Sequence, residues 1–155
     1  MRLSEEELVR WGLCIGESVG VPVFIGLSGP LGAGKSVLAR AIGRGAGVGQ
    51  GMPSPSYNLL FRYPGDDGVE VVHLDLYRIV EPAELFELGW EELGDAHEIV
   101  LVEWPERADG LLPTDHWRIT LTPVVDDPHL RDIEVSRAGD PPDLPGFPMK
   151  LSAAT

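Results

Sequence analysis

Gly29-Pro30-Leu31-Gly32-Ala33-Gly34-Lys35-Ser36 follows the apolar run Val23-Phe24-Ile25-Gly26-Leu27, and the reading of this junction decides the fold. It spells G-x-x-x-x-G-K-[ST], the phosphate-binding loop, in its meaningful context, with a strand before it and a helical period after it. Glycines let the backbone bend so that successive N–H groups converge on phosphate oxygens, and the following helix adds its partly positive N-terminus. A lysine then reaches the outer phosphates while a serine hydroxyl is offered to magnesium. Lys35 is one of only two lysines in the chain, the other being Lys150. A glycine-rich turn that merely caps a helix is the competing reading, but shuffling this composition would produce the pattern in roughly 0.2% of chains.

Size and charge narrow the setting. A chain of 155 residues is long enough for one well-packed domain. We assign residues 1–138 to it and read 139–155, with Pro141, Pro142, Pro145 and Pro148, as a poorly ordered tail. With 25 acidic and 12 basic residues the formal charge is −13, a field that repels phosphate backbones and anionic membranes. Nucleic acid, if it enters this protein's biology, is then held by a partner. The single Cys14 excludes an internal disulfide and falls among Leu8, Trp11 and Ile15 on the apolar face of a helix, as a buried thiol. No apolar stretch reaches 18 residues and the N-terminus is no signal peptide, so the expectation is a soluble, cytoplasmic protein without membrane contact.

The rest of the chain supplies an α/β pattern. Ser4 to Glu7 reads as a capping box with Leu3 and Leu8 as a hydrophobic staple, predicting a helix over 4–19. The loop leads into a second helix over 34–43, ended by the alternate glycines of 43–51. Residues 57–63 and 69–76 flank Pro64-Gly65-Asp66-Asp67-Gly68 as a β-hairpin, and Pro82 opens a helix to Leu93, interrupted at Gly89. Ile99-Val100-Leu101-Val102 is continuously apolar, the mark of a parallel strand covered on both faces. Residues 117–122 and 131–136 alternate around 123–130 as a terminal hairpin. The predicted architecture is a three-layer, P-loop NTPase-like α/β domain with a mostly parallel sheet and antiparallel hairpin strands.

Magnesium at a phosphate loop needs a carboxylate at the carboxyl end of a neighbouring strand. Glu103 and Asp75 both qualify, and spacing does not say which binds metal and which orients a water. His73, two residues before Asp75, points to the same face and either orients that carboxylate or serves as a structural histidine. Ser54-Pro55-Ser56-Tyr57 is either an ordinary turn or a switch that senses the outer phosphate through a hydroxyl. Trp104 either packs in the core or stands at the site mouth. None of the four histidines has zinc-like spacing.

Four stretches, Leu-Gly-Ala-Gly-Lys-Ser at 31–36, Ser-Pro-Ser-Tyr at 54–57, His-Leu-Asp-Leu-Tyr-Arg at 73–78 and Val-Glu-Trp-Pro-Glu at 102–106, together resemble the TsaE (YjeE) family of small bacterial ATPases. The resemblance covers about residues 4–136, and the last two motifs make it specific. It implies ATP and Mg²⁺ as cofactors, with Gly32, Ala33, Gly34, Lys35, Ser36 and Val37 cradling phosphates. Ser36 and Glu103 look like the magnesium ligands, Ser56 like the switch hydroxyl and Asp75 like the residue needed for hydrolysis. Lys35, Asp75 and Glu103 form the catalytic set, and Arg131 is similar to a basic residue near the nucleotide. The family acts in threonylcarbamoyladenosine modification of tRNA at position 37, through a TsaB–TsaD partner complex that engages the tRNA. Two departures stand out: Pro30 where the family usually has Asp, and Ser56 where it usually has Thr.

A GTPase is disfavoured, since neither lysine lies in an Asn-Lys-x-Asp motif. A small-molecule kinase also uses this loop, but such enzymes bring an arginine-rich lid over the phosphates, and residues 79–98 contain no Arg or Lys. A nucleotide switch without turnover is the third reading. The expectation is therefore a Mg²⁺-dependent ATPase, slow alone and stimulated by its partner.

Overall fold

The computed structural model of the chain describes residues 1–49, 52, 59–108 and 110–146. Seven strands, β1 Arg2–Ser4, β2 Val23–Ser28, β3 Leu60–Pro64, β4 Glu70–Asp75, β5 Glu98–Glu103, β6 His116–Val124 and β7 Asp127–Ala138, form one sheet in the order β1-β7-β6-β2-β5-β4-β3. The inner strands β6, β2, β5 and β4 run parallel, while β3, β7 and β1 join antiparallel at the margins. Every residue of β2 and β5 is buried, which is why these segments read as apolar runs without alternation. The α/β architecture expected from sequence is the one observed.

Helices α1 Glu5–Ser18 and α2 Lys35–Gly45 cover one face of the sheet. Ser4 caps α1 through a reciprocal box: its hydroxyl accepts from the Glu7 N–H at 3.2 Å, and Glu7 accepts from the Ser4 N–H at 3.0 Å. The two helices pack closely enough that a Cβ on Gly16 would lie 2.0 Å from the Ile42 carbonyl oxygen, so glycine is required there. Cys14 is half-buried rather than buried.

The other face is thinner. The helix expected from Pro82 to Leu93, interrupted at Gly89, is shorter than expected: α3 Glu84–Glu87 and a 3₁₀ turn at Trp90–Glu92 lie either side of Gly89, which adopts φ 81° and stops the hydrogen-bond ladder. Leu85 and Trp90 from these pieces, with Ala108 from a 3₁₀ turn at Pro105–Ala108, seal the second core against Phe24, Val72 and Val100.

Three further features differ from the sequence expectation. The terminal hairpin is longer and its turn tighter than 123–130, since Val124 already opposes Asp127. Pro123 and Pro128 are tolerated because β2 and β1 do not extend to that end, so neither proline removes an outer ladder bond. Strand β1 was not foreseen: three residues pair with β7 more than a hundred positions away. Finally, residues 139–146 are not loose. The Trp117 indole N–H donates to the Pro142 carbonyl at 2.7 Å and that of Trp11 to the Pro145 carbonyl at 3.0 Å, so two indole donors hold this stretch. Residues 147–155 lie outside the described residues.

Candidate phosphate-binding site

The site forms where the parallel strands end. β4 and β5 pair in register, with His73 beside Leu101 and Asp75 beside Glu103, and Leu27 of β2 lies on the other side of Glu103. Alternation turns Val71, Ile99 and Leu101 toward the α1/α2 core and Val72, Leu74, Val100 and Val102 away from it. His73, Asp75 and Glu103 therefore share the face on which the glycine loop and α2 begin.

Gly34 makes the loop-to-helix junction at φ 109°, a conformation that disfavours any side chain. Lys35 opens α2 and folds back so that its ammonium donates to the carbonyls of Gly29 and, at 2.9 Å, Pro30. Its Nζ also sits 4.2 Å from the ring centroid of Trp104. Burial holds this ammonium below the ordinary lysine range, with Glu103, Asp75 and Glu106 pulling the other way. The Ser36 hydroxyl lies 3.0 and 3.1 Å from the two carboxylate oxygens of Glu103.

Asp75 accepts from the Tyr77 N–H at 3.0 Å. Burial raises its carboxyl above the usual range; neighbouring Glu103 adds to this, and the Tyr77 N–H, His73 and Lys35 oppose it. His73 does not orient Asp75, as the sequence spacing allowed. Its Nε2 lies 2.6 Å from Glu103 Oε2 instead, because Glu103 reaches across from the neighbouring strand.

Lys35, Ser36, Asp75, Glu103 and Arg131 all line one cleft of about 280 Å³, joined by Gly32, Gly34 and Val37 of the loop and helix. Ala33 is buried beneath the loop and does not line it. Ser56 lies outside the described residues. Arg131 comes from β7, and its Nε and Nη1 are buried without a partner among the described residues. Two donors left so are provision for an anion. Hydroxyl, carboxylate, ammonium and guanidinium together fit a magnesium-bound polyphosphate.

Sequence reasoning left Trp104 open and missed its neighbours. The residue stands at φ 60°, strained for a side chain of its size, which aims the indole over Lys35 and against Tyr77 at a centroid distance of 5.1 Å. Glu5, at the start of α1, lines the cleft as well, and Glu106 accepts from the Ser28 hydroxyl at 2.5 Å. Only the adjacency of Trp104 and Glu106 to Glu103 hinted at these placements.

A larger groove of about 610 Å³ opens at the opposite end of β2, between Phe24, Phe86, Trp90 and Leu93, and its charged lining residues are all acidic: Glu91, Asp115 and Asp140. Its acidic lining is unsuited to a phosphate, unlike the smaller cleft with Lys35 and Arg131.

A parallel sheet centre that delivers a glycine loop with its lysine and serine to strand-end carboxylates places the molecule in the class of P-loop NTPase-like α/β proteins. The solved structure of Bacillus subtilis YdiB has the same fold, superposing with a TM-score of 0.68 at 22% identity over 99% of this chain and 90% of that one. The profile of the family described as "Threonylcarbamoyl adenosine biosynthesis protein TsaE" matches residues 3–131, and the chain belongs to that family. Relatives named tRNA threonylcarbamoyladenosine biosynthesis protein TsaE include that of Haemophilus influenzae, 37% identical over 59% of this chain and 57% of that protein. That of Nostoc is 35% identical over 67% of this chain and 65% of its own length. The alignments thus span less than two thirds of these two relatives, whereas that of Rickettsia bellii, at 34% identity, covers 84% of this chain and 90% of the relative.

Proposed function

We propose that the chain binds ATP with Mg²⁺ and hydrolyses it slowly to ADP and phosphate, in the service of a TsaB–TsaD complex that modifies tRNA at position 37. The observation that carries the reading is the contact between the Ser36 hydroxyl and Glu103 beneath the glycine loop, a hydroxyl–carboxylate pair suited to one hard cation. Family membership supplies the tRNA-modification setting.

In this reading the amides from Gly32 to Val37 and the Lys35 ammonium bind the outer phosphates. Ser36 and Glu103 hold the magnesium, which when bound neutralises charge on the transferring phosphoryl group. Lys35 leaves the loop carbonyls it now caps and turns to the phosphates. Arg131 directs its unpaired donors at the same anion. Asp75, whose carboxyl burial makes more basic, accepts a proton from the attacking water as its oxygen bonds to the terminal phosphorus and the bond to ADP breaks. Trp104 and Tyr77 shield the cleft from solvent.

The small-molecule kinase is disfavoured: the segment 79–98 has no Arg or Lys, and none of it lines the cleft. The deciding experiment is phosphate release from ATP by the chain alone and then with TsaB–TsaD added, without any other phosphoryl acceptor. Slow turnover that rises with the complex is the expected result. No turnover in either case sinks the ATPase assignment, and transfer only to an added small molecule would establish the kinase. Among the described residues no helix is long and apolar enough to cross a membrane.

A further inference from the structure

We propose that His73 is the positioning residue of this site: it fixes the carboxylate of Glu103 so that one defined oxygen is left for the cation. The inference rests on the function proposed above and names the residue that sets the metal requirement.

The strand surrounding His73 is built for hydrocarbon. Val71, Val72, Leu74 and Leu76 are all fully buried, and His73 is itself 0% exposed. An imidazole here is costly, because only one of its nitrogens is satisfied. Nε2 lies 2.6 Å from Glu103 Oε2, whereas Nδ1 is buried with no partner among the described residues. An ionised carboxylate can only accept, so the neutral ring must carry its hydrogen on Nε2 and leave Nδ1 as a bare lone pair. A leucine would fill the space without that orphan. What it could not do is donate a hydrogen bond to Glu103.

The geometry around Glu103 shows what the donation achieves. The carboxylate is 3% exposed and, among the described residues, receives two side-chain donors: the Ser36 hydroxyl, 3.0 Å from Oε1 and 3.1 Å from Oε2, and His73, on Oε2 alone. Ser36 stands on the cleft side, at the start of α2, and can turn a lone pair to a cation while it stays near the carboxylate. His73 comes from the sheet beneath and never competes for the ion. It engages Oε2 and leaves Oε1 with the Ser36 hydroxyl. Such outer partners orient metal-binding groups, and their loss typically weakens metal affinity by about 10–100-fold.

The test compares two amides of different reach. In His73→Gln the amide nitrogen falls near the position of Nε2, and in His73→Asn it falls near Nδ1, too short to meet Glu103. Binding of a fluorescent ATP analogue is titrated with Mg²⁺ for wild type and both variants, with unfolding midpoints measured in parallel. His73→Asn is expected to raise the Mg²⁺ concentration for half-maximal binding by about 10–100-fold. His73→Gln should stay close to wild type, and Mg²⁺-free nucleotide affinity should be the same in all three. A merely structural histidine would give equal effects in the two variants, and that result overturns the proposal, as does an unchanged Mg²⁺ requirement in His73→Asn. Wild type that binds the analogue with no Mg²⁺ dependence overturns the function proposed above instead. If neither variant folds, ring ¹⁵N spectra of wild type without metal or nucleotide decide: a protonated Nε2 with a bare Nδ1 is expected, and the reverse tautomer refutes the role.

Discussion

Strand β5 carries a buried glutamate at each end, and the two are held in opposite ways. Glu98, at its start, accepts from the N–H groups of Gly94 and Asp95 at 2.8 and 3.2 Å and pairs with Arg62 at 2.7 Å. Arg62 in turn reaches Glu70, also at 2.7 Å. Glu103, at its end, is more deeply buried and, among the described residues, has only a hydroxyl and an imidazole from side chains at hydrogen-bond distance. One carboxylate has a guanidinium against it; among the described residues the other has no Arg or Lys at contact distance. A buried charge that the fold leaves without a counter-charge is tolerated where a ligand supplies one. The amino end of the sheet is therefore a closed structural clasp, and the carboxyl end is where we propose that a cation and an anion bind.

The largest effect should come from Lys35→Ala, which removes the only lysine among the described residues and is expected to cut ATP hydrolysis by about 10³-fold or more. Hydrolysis and nucleotide affinity like wild type in that variant would erase the contrast, because the carboxyl end would then not be the reactive one. Asp75→Asn should lower turnover by about 10²-fold while nucleotide affinity stays unchanged, as loss of a proton acceptor does. It also has a pH signature. The Asp75 carboxyl is raised by burial in the folded chain, so its contribution to stability is complete below the unfolded pKa and is lost as pH rises through the folded one. Asparagine mimics the neutral form and keeps the acceptor for Tyr77 N–H. Its urea midpoint should therefore fall less than that of wild type as pH rises through the carboxylate range, and parallel pH profiles would contradict the burial argument.

Glu103→Gln and Glu98→Gln test the two ends against each other. The first should raise the Mg²⁺ requirement for nucleotide binding by about 10–100-fold, since it weakens a direct cation ligand, with little loss of stability. The second should leave nucleotide binding intact and destabilise the chain by about 1–3 kcal/mol, because Arg62 loses a charged partner. Glu98→Gln that impairs magnesium dependence, seen in the same fluorescence titration, would show that the clasp is part of the site. The smallest effect is expected with tRNA. A charge of −13 offers no phosphate-tracking stripe, so filter retention by the isolated chain should be near background even at low salt. Tight, steeply salt-dependent retention would instead show that the arginines collect into a basic surface.

What could be read in advance was whatever a short stretch of chain settles alone. The glycine loop carries its conformational needs in its own residues, the Ser4/Glu7 box closes within one helical turn, and a strand buried on both faces announces itself by lacking polar alternation. Lys35, Ser36, Asp75 and Glu103 were legible because their positions at strand and helix ends follow from those local elements. The failures share one cause. Pairing of Arg2–Ser4 with β7 and capture of Pro142 and Pro145 by Trp117 and Trp11 both depend on residues far apart in sequence. Arg131 was expected near the nucleotide only through the family resemblance, and it does line the cleft. The break at Gly89 was local, yet whether α3 continued past it depended on Trp90 finding the second core. His73 is the sharpest case. Sequence alone determined its face of the sheet, through the two-residue period it shares with Asp75. Only the tertiary structure decided its partner, because the order and register of β4 and β5 bring Glu103, thirty residues on, within 2.6 Å of its ring.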